Sequence, residues 1–120
     1  FQNASFVVLN FTLQFLPREQ RQTLLNNIYQ GLNPGGALVL SEKLTMSSEE
    51  LDASIINIHH DFKKQNGYSD MEIAQKRAAL ENVLIPDTRE QHYQRFENAG
   101  FKQFDTWFQH YNFASFIAVK

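Results

Sequence analysis

Two short apolar runs constrain this chain most: one from Phe6 to Phe11, the other from Ala37 to Leu40, joined by an amphipathic stretch and the turn Asn33-Pro34-Gly35-Gly36. Runs this apolar, interrupted in the first case only by Asn10, predict strands covered on both faces. A connection made by one helix then demands a parallel pair with a right-handed crossover. Pro17 suits the first helical position, where a missing N–H costs little. Leu24, Leu25, Ile28, Tyr29 and Leu32 recur at helical spacing and form one apolar stripe, and Asn33-Pro34-Gly35-Gly36 ends the helix and reverses the chain. Residues 1–45 therefore read as a βαβ unit. No Gly-x-Gly-x-x-Gly element precedes the first strand, so the chain reads as half of a cofactor-binding α/β domain.

Residues 46–86 differ in character and predict a helical cap inserted over one end of the sheet. Ser47 with Glu50, and Ser69 with Glu72, have the spacing of capping boxes. The first cap helix is expected to carry Leu51, Ile55, Ile58 and Phe62 on one face and to stop at Asn66-Gly67. The second is expected to carry Ile73, Arg77, Leu80 and Leu84 and to end near Pro86. Over residues 87–120, Thr88 with Gln91 marks another helix start, and Gly100 suits its C-terminal cap. Phe101–Gln109 and Tyr111–Val119 are aromatic and β-branched and predict two antiparallel closing strands.

Composition narrows the function. The net charge is −2 with no clustered basic face, which argues against direct nucleic-acid binding. With no cysteine, thiolate metal sites, cysteine nucleophiles and disulfides are excluded. No apolar run approaches the roughly 18 residues of a membrane span and no signal peptide is visible, so a cytoplasmic protein is expected. His59-His60-Asp61 lacks ligand spacing, because neighbouring helical residues point about 100° apart, and no metal site is expected. Ser41 has no visible base partner. Glu42, at the carboxyl end of a strand, reads either as a base or, better, as a solvated carboxylate. The aromatic stretch from Phe101 to Phe116 reads as core rather than as a stacking platform. No catalytic residue is assigned.

Two residues stand out as ligand contacts. Asn10, a polar amide near the carboxyl end of a buried strand, must either bond a neighbouring loop or meet a ligand at the sheet's binding edge. Arg77 reads as a surface partner of Glu81 at i,i+4, or as an inward guanidinium suited to a carboxylate.

The generic pattern of buried strand, helix, Leu-x-Pro-Gly-Gly turn and buried strand resembles the second half of class I S-adenosylmethionine-dependent enzymes. A closer resemblance spans essentially the whole chain. Val7-Val-Leu-Asn-Phe-Thr-Leu-Gln-Phe-Leu16, Ile28-Tyr-Gln-Gly-Leu-Asn-Pro-Gly-Gly36, Leu40-Ser-Glu-Lys43, His59-His-Asp-Phe-Lys63, Asn66-Gly-Tyr-Ser69, Gln75-Lys-Arg77, Leu80-Glu-Asn-Val83 and Trp107-Phe-Gln109 together resemble the carboxy-S-adenosyl-L-methionine synthase family.

That resemblance implies the carboxyl-terminal half of a Rossmann-like class I methyltransferase fold: parallel strands, an antiparallel closing strand and an inserted helical cap. It implies a transferase converting S-adenosylmethionine and prephenate to carboxy-S-adenosylmethionine and phenylpyruvate, the product serving tRNA wobble-uridine modification by a partner enzyme. It also implies a homodimer, with Asn10 on the cofactor and Arg77 on the carboxylate added to the cofactor's methyl group. The family's glycine-rich loop and ribose-binding acid have no counterpart here, so the chain alone is expected to be inactive. Competing readings are a small-molecule S-adenosylmethionine-dependent methyltransferase of the same fold and a non-catalytic dimerisation module.

Overall fold

A computed structural model describes residues 2–80 and 83–120, with the side chains of residues 78 and 80 left aside. Strand β1 (Ala4–Asn10) leads through a 3₁₀ turn (Leu13–Phe15) to helix α1 (Arg18–Gly31), which returns the chain along β2 (Leu32–Lys43). Helices α2 (Glu49–Gln65) and α3 (Asp70–Leu80) follow, then α4 (Arg89–Ala99) and the hairpin β3 (Gln103–His110) and β4 (Phe113–Val119). The sheet order is β1-β2-β4-β3. β1 and β2 are parallel, with Val7 opposite Leu38 and Asn10 opposite Ser41, while β4 runs antiparallel to both β2 and β3. The expected architecture of parallel strands with one antiparallel closing strand is the one found.

The turn after α1 is absorbed into β2. Ala4 pairs with Leu32 but Phe6 pairs with Ala37, so Asn33 to Gly36 bulge out opposite Ser5. Gly36 is required there, since a Cβ would lie 2.9 Å from the carbonyl oxygen of Asn33 and 3.2 Å from that of Ser5. Gly100 caps α4 at φ 116°, and a side chain there would strike the Tyr29 ring.

The core lies on one face of the sheet. Leu38, Leu40, Ala114, Phe116 and Ala118 point toward Leu25 and Ile28 of α1 and Phe96 of α4, with Phe101 closing the end. The stripe expected on α1 is there, joined by an unforeseen member, the buried Arg21. On the opposite face Phe6 is 60% and Val8 46% exposed, which corrects the expectation that β1 is covered on both sides. The reason is geometric: the helices that contribute to the core, α1 and α4, lie on one face of an edge strand.

The cap helices also differ in phase from expectation. The N-cap of α2 is Ser48, not Ser47, its hydroxyl accepting from the Leu51 N–H at 3.3 Å. Leu51 and Ile58 are each half exposed, while Ile56 and His59 join the expected Ile55 and Phe62 in turning inward. Aromatic packing sets this phase: the His59 ring lies 5.2 Å from those of Tyr111 and Phe113, and the Phe62 ring 5.3 Å from His110. In α3 the Ser69 cap is as expected, with Glu72 N–H donating to its hydroxyl at 3.1 Å. Of the face expected there, Ile73 is buried, Arg77 is exposed and Leu84 falls beyond the helix, while the side chain of Leu80 lies outside the described ones. The Thr88–Gln91 capping box of α4 is complete. In the hairpin Phe101 and Phe116 are core as expected, whereas Trp107 and Phe108 are exposed.

Candidate functional site at the carboxyl edge of the parallel strands

Asn10 closes β1, and the chain then turns through Phe11, which adopts φ 51°. A non-glycine residue in the left-handed region is strained and persists only where its surroundings fix it. Here the Phe11 N–H donates to the Ser41 carbonyl at 2.8 Å, and the Thr12 hydroxyl donates to the Asn10 carbonyl at 3.1 Å. Asn10 is exposed, not buried as its apolar neighbourhood predicts. Its amide makes no hydrogen bond among the described residues, so the loop-bonding alternative is not seen and the side chain is left available at the edge where α/β folds bind ligands.

Glu42 is not solvated. It is wholly buried on the covered face, where Oε1 accepts the Leu13 N–H at 2.9 Å and Oε2 has no hydrogen-bond partner. Burial pushes its pKa up to about 7, against the lowering influence of the Leu13 and Gln14 N–H groups and of Arg21. Gln14 completes the join from the other side, its Oε1 accepting the Lys43 N–H at 2.8 Å. Ser41 donates to the Ser115 hydroxyl at 3.0 Å rather than to a base.

Basic side chains gather above this edge. Lys43 ends β2, His59, His60 and Lys63 lie on the half-buried side of α2, and Arg77 stands on α3. Burial, then the charge of Arg77, lowers the pKa of Lys43; burial, then Arg77, Lys63 and Lys43, lowers that of His60. His59 is pushed down to about 4 by burial and by Lys63, His110, His60 and Lys43. Mutual repulsion of this kind costs stability that a bound anion would return. Arg77 is exposed and lines a cavity of about 530 Å³ with His60, Asp61, Lys64, Asp70 and Ile73. Its proposed partner Glu81 lies outside the described residues. Asn10 and Arg77 are not in contact; they are related through β2, where Ser41 opposes Asn10 and Lys43, two residues on, feels the charge of Arg77.

Sequence reasoning missed the buried hub below the site. Asp87 accepts from Arg21 and Arg95 at 2.7 Å each and from Arg18 at 3.1 Å. Arg21 also donates to the carbonyls of Gln14, Leu16 and Ile85. The spacing of Arg21 with Leu25 and Ile28 was the available signal, since it places a cation on the apolar stripe. His92 is buried against Phe116 with Nε2 unpartnered, and burial lowers its pKa to about 4. Among the described residues no group of three acidic, histidine or cysteine side chains could hold a metal ion, and no helix is long and apolar enough to cross a membrane.

Solved structures share this arrangement. An O-methyltransferase family 2 protein from Planctomyces limnophilus superimposes with a TM-score of 0.67 at 20% identity, covering 100% of this chain and 31% of that one. Human N-acetylserotonin methyltransferase superimposes with a TM-score of 0.64 at 17% identity, covering 100% of this chain and 30% of that one. The strand order, the crossover and these likenesses define the fold as that of the class I S-adenosylmethionine-dependent methyltransferases.

No protein-family model matches the chain. Curated relatives match it from end to end. The carboxy-S-adenosyl-L-methionine synthase of Shewanella amazonensis is 62% identical over 120 residues, which are 100% of this chain and 49% of that protein. The enzyme of the same name from Escherichia coli is 57% identical over 119 residues, 99% of this chain and 48% of that protein. The chain is thus a homologue of the carboxy-S-adenosyl-L-methionine synthases and corresponds to their carboxyl-terminal half, spanning about half the length of the relatives it matches.

Proposed function

We propose that this chain is the carboxyl-terminal half of a carboxy-S-adenosyl-L-methionine synthase, a cytoplasmic, homodimeric transferase that uses S-adenosylmethionine and prephenate and supplies carboxy-S-adenosylmethionine for tRNA wobble-uridine modification. The observation that carries this reading is identity of 55–62% to synthases of that name, sustained along the whole chain. The site chemistry supports it. An ordinary methyltransferase need only bind a sulfonium cation. A carboxylated cofactor brings an extra anion, and so does a carboxylate substrate. The grouping of Lys43, Lys63 and Arg77 meets that demand.

In this reading Asn10 contacts the cofactor through its unoccupied amide, and the Arg77 guanidinium takes the added carboxylate in bidentate fashion. The glycine-rich loop and the ribose-binding acid come from the other half of the domain, so these 120 residues alone are not catalytic. The ligand carried by the full-length protein tests the proposal. Mass spectrometry of the purified protein is expected to find carboxy-S-adenosylmethionine, and unmodified S-adenosylmethionine alone would favour a plain methyltransferase.

A further inference from the structure

Glu42 lies on the opposite face of β2 from the exposed edge that carries Asn10, so it is no ligand contact, and a wholly buried carboxylate with an unpartnered oxygen demands an account. Its hydrogen bond from the Leu13 N–H reaches a residue three beyond Asn10. Between them stands the strained Phe11, whose ring edge meets Phe113 at 6.0 Å. Strain of this sort is held by bonds on either side of it. Before the corner Phe11 N–H is tied to Ser41; after it Leu13 N–H is tied to Glu42, and Gln14 is tied to Lys43 and, through its carbonyl, to Arg21 and the Ile85 N–H. Three of these bonds involve consecutive residues of β2, Ser41, Glu42 and Lys43. Glu42 supplies the only charge-assisted acceptor among those three.

We propose that Glu42 is a positioning residue: its buried carboxylate, by holding the Leu13 N–H, fixes the left-handed corner at Phe11 and so sets the direction in which Asn10 is presented to the cofactor. This rests on the reading that Asn10 contacts S-adenosylmethionine. An ionised carboxylate accepts a stronger hydrogen bond than its protonated form. With a pKa near 7, Glu42 therefore tightens the corner as pH rises through neutrality. The charged groups facing it are Arg21 on α1 and Asp87 ahead of α4, and the 3₁₀ turn contributes the N–H groups of Leu13 and Gln14.

The experiment uses the full-length protein, wild type and E42Q, which keeps an amide oxygen to accept from Leu13 but has no charge to gain. Two readouts are followed from pH 6 to 8. The first is the Leu13 amide resonance; the second is the affinity for S-adenosylmethionine by calorimetry. Expected are an inflection of the Leu13 resonance near pH 7 that E42Q abolishes, and an affinity that E42Q weakens about tenfold at pH 8, as for loss of a charged hydrogen bond, with the loss shrinking toward pH 6. A purely structural acid predicts otherwise: equal affinities at every pH, or a Leu13 resonance that does not titrate, overturns the assignment. A wild-type protein that binds no S-adenosylmethionine overturns the functional reading of the previous subsection, and the Leu13 resonance then judges the clamp by itself.

Discussion

In the proposed function, Arg77 carries the chemical distinction between a carboxylated cofactor and an ordinary one. A guanidinium fork pairs with two carboxylate oxygens, whereas a lysine offers a point charge. In the full-length protein, Arg77→Lys and Arg77→Ala should each cost roughly 2–5 kcal/mol of affinity for carboxy-S-adenosylmethionine. S-adenosylmethionine, which lacks that carboxylate, should bind nearly as before. Calorimetry with both ligands separates this from a solvated helix residue, which would alter neither, and from a folding defect, which would weaken both alike.

Glu42 and His92 make opposite contributions to stability, and the signs follow from linkage. The folded-state pKa of Glu42 is raised from 4.5 to about 7, so across that window the folded protein keeps a proton the unfolded chain has lost. Its contribution to stability therefore falls as pH rises. The pKa of His92 is lowered from 6.5 to about 4, so across that range the unfolded chain holds the extra proton and stability rises with pH. The two partly cancel where the ranges overlap. Replacing Glu42 by Gln should make the protein more stable relative to wild type by about 3 kcal/mol on going from pH 4.5 to pH 8, taking about 1.4 kcal/mol for each pKa unit. Urea unfolding at several pH values measures this, and a constant difference between the two proteins would contradict the burial assigned to Glu42.

At the scale of elements, the Asp87 hub binds α1, the 3₁₀ turn and α4 into one unit beneath the site. Burial alone would raise the pKa of Asp87, but hydrogen bonds from Arg21 and Arg95 hold it below its usual value. Asp87→Ala leaves Arg21 buried without its carboxylate and should cost roughly 3–5 kcal/mol of stability. Arg18→Ala, removing a partner whose side chain is 54% exposed, should cost less than about 1 kcal/mol. Equal losses in denaturant unfolding would show the hub to be unimportant.

The same scale shows what the sequence makes legible. The βαβ unit, the Ser69 cap, the Thr88 capping box, the Gly100 cap and the closing hairpin follow from local chemistry, and local chemistry is visible in a sequence. The phase of α2 is not. Leu51 and Ile58 have the spacing of a buried face, yet rings from the distant β3–β4 hairpin turn His59 inward beside the expected Phe62 and leave those two half exposed. Burial of Glu42, Arg21 and His92 is likewise decided by partners far along the chain, such as Leu13 and Asp87. The place of Asn10 at a strand end was legible from the apolar run it closes. Its exposure was not, because exposure depends on which face of the sheet the helices cover.

At the scale of the whole molecule, one face of the sheet and the free edge of β1 are bare of helices, with Phe6 and Val8 exposed. An α/β sheet of this kind binds its ligand in a crevice between two halves. The 120-residue chain alone should bind S-adenosylmethionine weakly or not at all, and light scattering should find it self-associated through that face and edge. Micromolar binding by calorimetry, or a clean monomer, would count against this view. The central claim, that the chain belongs to an enzyme making carboxy-S-adenosylmethionine, is tested most directly by incubating the full-length protein with S-adenosylmethionine and prephenate and analysing products by mass spectrometry. Carboxy-S-adenosylmethionine and phenylpyruvate formed in equal amounts, with both lost in the Arg77→Ala variant, are the predicted result; turnover of neither substrate by the folded wild-type protein would contradict it.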